Sequence, residues 1–151
     1  MGQIAGLKVR QVMEADWPSI FEIDRNITGN PRALSWSQKV SSHLKTYSPA
    51  ISFVAEVDDR VVGFILAGIR GAEYSLPLAG WIDIVGVDPK YQGQRIGQNL
   101  VEACIEESHL KGIKTRLMIN ENDKRLIDYL ISLGFRRGEF VEFVKGFATP
   151  S

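Results

Sequence analysis

The sequence predicts an α/β fold in which a mixed sheet carries helices on both faces. Strand-like and helix-like stretches alternate along the chain in the order βααβββαβαβ. Residues 82–87 are apolar and β-branched apart from Asp83 and Gly86, which is typical of a buried strand. A short loop containing Gly93 then leads into a helix with Gly97 in its first turn. Strands that alternate with helices in this way favour a layered fold with a helix-covered sheet.

Caps and turns separate the predicted elements. Asp16 can cap a helix that has Pro18 in its first turn, and Ser35 with Gln38 forms a capping box for a second helix. The pair Asp58-Asp59 is a hairpin signal. Gly134 closes the last helix as a C′ glycine. In chain order the elements are strand 7–12, helices 16–25 and 35–47, strands 51–57, 60–69 and 82–87, a helix ending near 111, strand 115–119, helix 122–133, and one or two strands in 135–147.

Composition limits the possible partners. We expect one domain over residues 1–151, a length sufficient for a hydrophobic core. The 18 basic and 18 acidic residues cancel, so no electrostatic footprint for nucleic acid is present. No apolar run approaches the roughly 18 residues of a membrane span, so no membrane partner is expected. The single cysteine and the lack of a secretory leader favour a cytoplasmic location.

The stretch from Ile82 to Gly97 predicts a phosphate-binding turn. Asp88-Pro89 ends the strand, because proline removes a ladder donor. A strand, a tight loop and a helix N-terminus together offer free N–H groups and a positive dipole end to an anion. Gly97 has no Cβ and lets a phosphate approach the backbone. A P-loop is excluded because Gln98 and Asn99 follow Gly97, and the sequence contains no G-x-G-x-x-G run.

The loop sequence resembles a known family. Gln92-Gly93-Gln94-Arg95-Ile96-Gly97 is similar to the pyrophosphate loop of the GNAT superfamily, N-acetyltransferases that use acetyl-coenzyme A. The family pattern is Gln or Arg, two residues, Gly, one residue, then Gly or Ala, and Arg95 stands at its middle glycine. Residues 85–91 resemble the family's fourth strand and its exit. Asn122 and Leu133-Gly134-Phe135 match the family's helix that ends in Gly-Phe.

The resemblance implies a fold, a cosubstrate and a set of binding residues. The fold would be a central, mostly antiparallel sheet with one splayed parallel pair, and the cosubstrate acetyl-coenzyme A. In the family the pantetheine lies in the splay like an added strand, and the asparagine at position 122 contacts it. The implied cofactor-binding residues are Val85, Gly86, Val87, Gln92, Gly93, Gln94, Arg95, Ile96, Gly97, Gln98 and Asn122. Asn122 can equally be a helix N-cap.

Asp83 is the candidate catalytic residue. It interrupts an apolar strand and, by period two, should share a face with Val85 and Val87. An aspartate is rarely buried without a partner, so Asp83 is either salt-bridged or takes a proton from the acceptor amine. Three other carboxylates on segments that would border the acceptor are alternatives for this role: Glu22, Asp24 and Glu73. Three aromatic residues are candidates for the lining of the acceptor cleft: Trp36, Tyr74 and Trp81. His43 and His109 have no neighbours at metal-ligand spacing, so no metal is expected.

Two functions follow from these residues. The first is an N-acetyltransferase that acts by direct attack of a primary amine, belonging to a small molecule or a protein. The second is a coenzyme-binding module without catalysis. Leu130 stands where the family often has a tyrosine that acts as the general acid for the leaving thiolate, and Tyr129, one residue earlier on the helix, is rotated by about 100° from that position. The short C-terminus leaves room for one strand, 139–145. A missing last strand would leave an uncovered edge and invite a homodimer.

Overall fold

The computed structural model describes residues 5–29 and 47–147. The chain divides into two compact units, Met1–Met118 and Ile119–Ser151. The predicted helix that begins at Ser35 lies outside the described residues, together with Trp36 and His43. A single domain over the whole chain stays a prediction.

The first unit contains a five-stranded mixed sheet. Its strands follow one another in the sheet in sequence order, and all neighbours are antiparallel except the last pair, which is parallel. This confirms the predicted fold class. The elements are β1 (Leu7–Gln11), α1 (Trp17–Thr28), β2 (Phe53–Val57), β3 (Arg60–Arg70), β4 (Ala79–Val87), α2 (Ile96–Leu110) and β5 (Lys114–Leu117).

The predicted hairpin connects β2 and β3. Val57 pairs with Arg60, and the two residues between them, Asp58 and Asp59, have φ angles of 51° and 63°. A two-residue turn with both φ angles positive matches the right-handed twist of the strands, and aspartate tolerates this conformation. β4 begins three residues earlier than the sequence predicts, at Ala79.

The two helices cover opposite faces of the sheet. Phe64 and Gly86 are ladder partners, and a Cβ added to Gly86 would meet the Phe64 ring at 2.7 Å and Ile27 of α1 at 3.1 Å. One position along, a Cβ added to Gly63 would meet Ile96 and Leu100 of α2, each at 3.2 Å. Adjacent strand residues face opposite sides. The core under α1 consists of Val12, Trp17, Ile20, Ile23, Val54, Phe64 and Leu66.

Asp16 does not cap α1 through its side chain, so that prediction is wrong. The carboxylate accepts hydrogen bonds from both terminal nitrogens of Arg10, each at 2.8 Å, and from the Met13 amide at 2.7 Å. Arg10 also contacts Glu56 at 3.1 Å. Burial alone would raise the pKa of Asp16, but the hydrogen bonds from Arg10 and Met13 lower it. The pair ties β1 to the start of α1.

Within residues 119–147, the second unit contains one helix, α3 (Lys124–Ser132). Asp123 is its N-cap, with its carboxylate accepting the Leu126 N–H at 3.2 Å, so the alternative that Asn122 is the cap is wrong. Gly134 has φ 96° and ends the helix as predicted. Residues 135–147 contain neither helix nor strand, so the predicted strand 139–145 is not formed. Among the described residues, no helix is long and apolar enough to cross a membrane.

Candidate active site

The second half of β4 has an open edge. The parallel ladder of β4 with β5 runs from Ala79 to Ile82 and stops there, while β4 continues to Val87 beside β3. Beyond Ile82, that side of β4 has no ladder partner in the part of the chain that the structure describes. An extended molecule can therefore hydrogen-bond to this edge as an added strand would.

A β-bulge marks the point where the open edge begins. Leu66 pairs with Ile84 and Ala67 pairs with Ile82, so Asp83 is an extra residue without a partner on β3. A bulge redirects the side chain it carries and is frequent beside active sites. The bulge breaks the alternation between Asp83 and Val85. The inference that they share a face by period two is therefore wrong.

Asp83 forms a two-pronged ion pair with Arg70. Its carboxylate oxygens accept hydrogen bonds from the two terminal nitrogens of Arg70 at 2.7 and 2.9 Å. Both side chains are partly exposed, at 28 % for Arg70 and 31 % for Asp83. The hydrogen bond to Asp83 raises the pKa of Arg70. Of the two predicted roles for Asp83, the salt bridge is present, and each carboxylate oxygen still has a second lone pair that can accept a proton while the bridge stays formed.

Aromatic and cationic side chains cluster around Trp81, two residues before the bulge on β4. The Tyr74 ring lies 5.0 Å from the Trp81 ring, and the guanidinium groups of Arg70 and Arg116 lie 5.9 and 5.8 Å from the Trp81 centroid. Trp81 is only 4 % exposed. Sequence reasoning named Tyr74 and Trp81 but missed the two arginines. The parallel ladder, which places Arg116 opposite Trp81, brings Arg116 to this point.

The other predicted carboxylates occupy different environments. Glu22 is exposed and Asp24 is buried, both on α1. Glu73 is exposed in the turn Ala72–Tyr74, and its negative charge adds to the raised pKa of Arg70. Asp83 is therefore the candidate carboxylate placed at the bulge itself.

The turn after β4 is tied back to the sheet. Asp88 donates its N–H to the Val62 carbonyl at 2.8 Å and accepts the Lys90 N–H at 3.0 Å. The Gln92 side-chain amide donates to the Val87 carbonyl at 3.1 Å. Gln92, which the family pattern places first in the loop, thus uses its side chain to fix the loop onto the end of β4.

The start of α2 presents unpaired amides in a suitable position for an anion. The first hydrogen bond within the helix runs from the Asn99 N–H to the Arg95 carbonyl at 3.0 Å. The N–H groups of Ile96, Gly97 and Gln98 precede it, at the positive end of the helix dipole. A Cβ added to Gly97 would meet only the Val87 side chain, at 3.7 Å, so packing does not require glycine there. These groups fit a pyrophosphate.

Arg95 has a left-handed backbone. Its φ is 66°, and that of Gly93 is 81°. The residue at the position of the family's middle glycine therefore does not have right-handed helical angles. Because side chains are disfavoured at such angles, the conformation explains why the family pattern has glycine there. The Arg95 Nε donates to the Gln98 side chain at 3.1 Å, which holds the exposed guanidinium beside the first turn of α2.

Comparison with known proteins identifies the family. Residues 11–135 match the family model described as "Acetyltransferase (GNAT) family". The chain belongs to this family. The protein is therefore an acetyltransferase with acetyl-coenzyme A as the acetyl donor, as the loop resemblance implies. A search of the curated proteins finds no match.

Solved GNAT structures share the fold. An acetyltransferase of Trypanosoma brucei is 25% identical, with 92% of this chain and 99% of that one covered and a TM-score of 0.69. The ribosomal-protein-S18-alanine N-acetyltransferase of Escherichia coli is 19% identical, covering 88% and 79%, with a TM-score of 0.71. The aminoglycoside N-acetyltransferase AAC(6')-Iy in complex with CoA is 16% identical, covering 93% and 94%, with a TM-score of 0.73.

The second unit carries the remaining GNAT positions. Asn122 is exposed and donates its backbone N–H to the side-chain oxygen of Asn120 at 2.8 Å, and its contact with pantetheine stays a prediction. Leu130 is buried and Tyr129 is half-buried. A leucine at the position of the family's tyrosine cannot donate a proton. No group of three or more His, Cys, Asp or Glu side chains within residues 5–29 and 47–147 could hold a metal ion.

Proposed function

We propose that this GNAT enzyme acetylates a primary amine of a small molecule or a protein by direct attack of the amine on the thioester. The observation that carries the proposal is the pairing of an open β4 edge with the free amides at the start of α2. The first suits an extended pantetheine and the second suits a pyrophosphate. Both lie on one continuous stretch, residues 83–98.

The donor is held by backbone groups for the most part. The amides of Ile96, Gly97 and Gln98 receive the pyrophosphate, with Arg95 as an additional cation. Backbone N–H groups of residues 85–87 hold the pantetheine and polarise the acetyl carbonyl. Donors that are fixed in a strand need no reorganisation when negative charge develops on the carbonyl oxygen.

Asp83 accepts the proton from the acceptor. A lysine-like amine has a pKa of about 10.4 and is mostly protonated at neutral pH, so it must lose a proton before it can attack. Asp83 lies at the bulge where the open edge begins, and it takes the proton directly or through water. Arg70 orients the carboxylate through two hydrogen bonds.

The departing thiolate needs no proton from the enzyme in this mechanism. Leu130 has none to give, but an ordinary thiol has a pKa of about 8.5, so a thiolate is an acceptable leaving group. The dipole of α2 stabilises the negative charge. Loss of the general acid slows turnover, by roughly 100- to 10,000-fold relative to an enzyme that has one.

Support for an amine acceptor comes from the structural neighbours. The names of two of them specify N-acetylation, of an aminoglycoside in one and of a ribosomal-protein alanine in the other. In this chain Trp81, two residues before Asp83, lies beside Tyr74 and two cations, Arg70 and Arg116. This composition favours an acceptor that also carries a negative or aromatic group over a polycation.

The test is thiol release from acetyl-coenzyme A with a panel of amines. The panel should include amino acids, polyamines, aminoglycosides and lysine- or alanine-terminated peptides, and mass spectrometry should locate the acetyl group on nitrogen. Acceptor-free reactions measure background hydrolysis. We expect release that depends on the amine and on Asp83. Tight binding of acetyl-coenzyme A with no turnover on any amine would contradict the proposal and favour a binding module without catalysis.

A further inference from the structure

The ion pair between Arg70 and Asp83 leaves hydrogen-bonding groups of both side chains unused. Arg70 donates one N–H from each of its two terminal nitrogens to Asp83. A guanidinium has five N–H donors, so the Nε–H and one N–H on each terminal nitrogen remain. Within residues 5–29 and 47–147, no group accepts a hydrogen bond from these remaining donors. Arg70 can therefore bind a second acceptor group while its pair with Asp83 stays formed.

The Arg70 guanidinium is held in one orientation. Asp83 binds the end of the group through both terminal nitrogens, and the Trp81 ring lies under it, with the centroid 5.9 Å away. Trp81 is itself buried and packs against the Tyr74 ring. The unused edge, formed by the Nε–H and a terminal N–H, has the geometry that receives a carboxylate through two parallel hydrogen bonds. A partly exposed guanidinium that is already fixed loses little freedom when it binds an anion.

The ion pair has no net charge, and this determines which ligands it attracts. A simple cation near Asp83 is also near Arg70, so the attraction and the repulsion largely cancel. A zwitterion gains at both ends when its ammonium lies beside Asp83 and its carboxylate beside Arg70. Its two charges must be close together, because the paired atoms of Asp83 and Arg70 are only 2.7 and 2.9 Å apart. An α-amino acid carries both groups on the same carbon.

We propose that the acceptor is a free α-amino acid whose carboxylate binds the unused edge of Arg70 and whose amine lies at Asp83. The inference rests on the proposed function, because it names the acceptor class of the same site. The ammonium loses a proton to Asp83, and the nitrogen then bonds to the acetyl carbon as the carbon–sulfur bond breaks. The second proton released from nitrogen reaches the thiolate through solvent. The products are an N-acetylamino acid and coenzyme A.

Glu73 is the neighbouring charge that opposes a carboxylate at Arg70. It is exposed in the turn Ala72–Tyr74 and acts on Arg70 through space, without an ion pair between the two. Glu73→Gln should therefore lower the KM of an amino acid by a factor of about two to five, the size expected for an exposed charge. An amino acid KM that rises in Glu73→Gln would contradict a carboxylate at Arg70.

The main test compares amino acids with their own carboxamides in the thiol-release assay. Suitable pairs are L-phenylalanine, L-leucine and L-serine with the corresponding amides, which lack only the carboxylate. The amide has the lower amine pKa, because no adjacent negative charge favours its ammonium form. Without a carboxylate contact, the amide would therefore be the better acceptor at neutral pH. We expect the acids to have the higher kcat/KM instead, by at least about tenfold, as for a hydrogen-bonded charged group.

Variants of Arg70 separate carboxylate binding from the orientation of Asp83. If Arg70 only orients Asp83, Arg70→Gln lowers kcat/KM for acid and amide by the same factor. If Arg70 binds the carboxylate, Arg70→Gln abolishes the preference for the acid, and Arg70→Lys, which keeps the charge without the fork, retains part of it. Arg60→Gln changes an exposed arginine at the other end of β3 and is the matched control, with an unchanged preference.

A binding measurement does not depend on turnover. In calorimetric titrations of the enzyme saturated with coenzyme A, the Kd of L-phenylalanine should rise at least about tenfold in Arg70→Gln, and that of its amide should not rise. Amides that bind and react as well as acids overturn this proposal and leave N-acetylation intact. So does a preference for acids that survives Arg70→Gln. Absence of turnover with every amine overturns the proposed function instead, and the titration still decides whether Arg70 binds the carboxylate.

Discussion

Replacement of Arg95 by glycine should stabilise the protein and weaken its affinity for acetyl-coenzyme A at the same time. Arg95 has φ 66°, in the left-handed region where a side chain costs about 1–2 kcal/mol. Glycine removes this cost. It also gives the unfolded chain more conformational entropy, which favours the unfolded state by about 0.4–1 kcal/mol and offsets part of the benefit. The hydrogen bond from Arg95 to Gln98 is on the surface and adds little. The net gain in the free energy of unfolding is about 0.5–1 kcal/mol.

Two measurements separate the two effects. A gain of this size raises the melting temperature by about 1–4 °C for a chain of this length. A ligand that binds only the native state raises the melting temperature further, by an amount that depends on its Kd. Loss of the Arg95 cation should raise the Kd of acetyl-coenzyme A roughly tenfold, the value for about 1.4 kcal/mol. Calorimetric titration measures that Kd directly.

Two further variants act as controls. Ser75 also has a left-handed backbone, with φ 55°, and lies in a different turn, so Ser75→Gly should stabilise the apo protein without changing the Kd. Arg95→Ala keeps the unfavourable φ and loses only the charge, so it should raise the Kd without stabilising the protein. Equal melting temperatures for Arg95→Gly and the wild type would refute the strain argument. An unchanged Kd in both Arg95 variants would refute the phosphate contact.

Five other substitutions, at four positions, test the site and the fold. Gly97→Ala should fold, because its Cβ meets only Val87 at 3.7 Å. Gly97→Glu should abolish the rise in melting temperature caused by acetyl-coenzyme A. An unchanged rise in a folded Gly97→Glu protein would refute the assignment of this site to the coenzyme. In a steady-state assay, Asp83→Asn should lower kcat/KM at least tenfold at neutral pH and less at high pH, where the amine deprotonates unaided. Tyr129→Phe should change kcat/KM by no more than about threefold. The opposite pattern would make the tyrosine the catalytic residue. Asp16→Asn should cost about 1–2 kcal/mol of unfolding free energy at neutral pH. Because hydrogen bonds lower the folded-state pKa of Asp16 below its ordinary 3.8, wild-type stability should fall as the pH drops through that lowered pKa, and urea titrations of Asp16→Asn should show a smaller fall.

Local signals in the sequence were sufficient for most elements of the first unit. The Asp58-Asp59 turn and the apolar run of β4 each depend on neighbouring residues alone, and both are present. The bulge at Asp83 was not predictable in this way. It depends on how β4 aligns with β3 between Leu66 and Ala67, and no residue in β4 signals that alignment. Any period-two argument that crosses a bulge fails for the same reason.

Side-chain partners were harder to predict than elements. Asp16 has the right type and position for an N-cap, yet its carboxylate binds Arg10 because a guanidinium with two donors competes better than one amide. At α3 a side chain does cap the helix, but it is the neighbouring one. Asn122 and Asp123 are both good caps, and the choice of Asp123 depends on where the turn before the helix closes. The strand expected at 139–145 is absent although its composition favours one, because a strand also needs a neighbouring strand to pair with.

The two glycines of the site show why one residue type has two different physical explanations. The sequence assigns both Gly86 and Gly97 to the coenzyme. In the fold, Gly86 is already required by packing, since any Cβ would lie 2.7 Å from the Phe64 ring. Gly97 has room for a Cβ, so packing leaves its identity open, and only a ligand approaching the first turn of α2 requires glycine there. An alanine at Gly86 therefore reports on the core under α1, and substitutions at Gly97 report on the coenzyme.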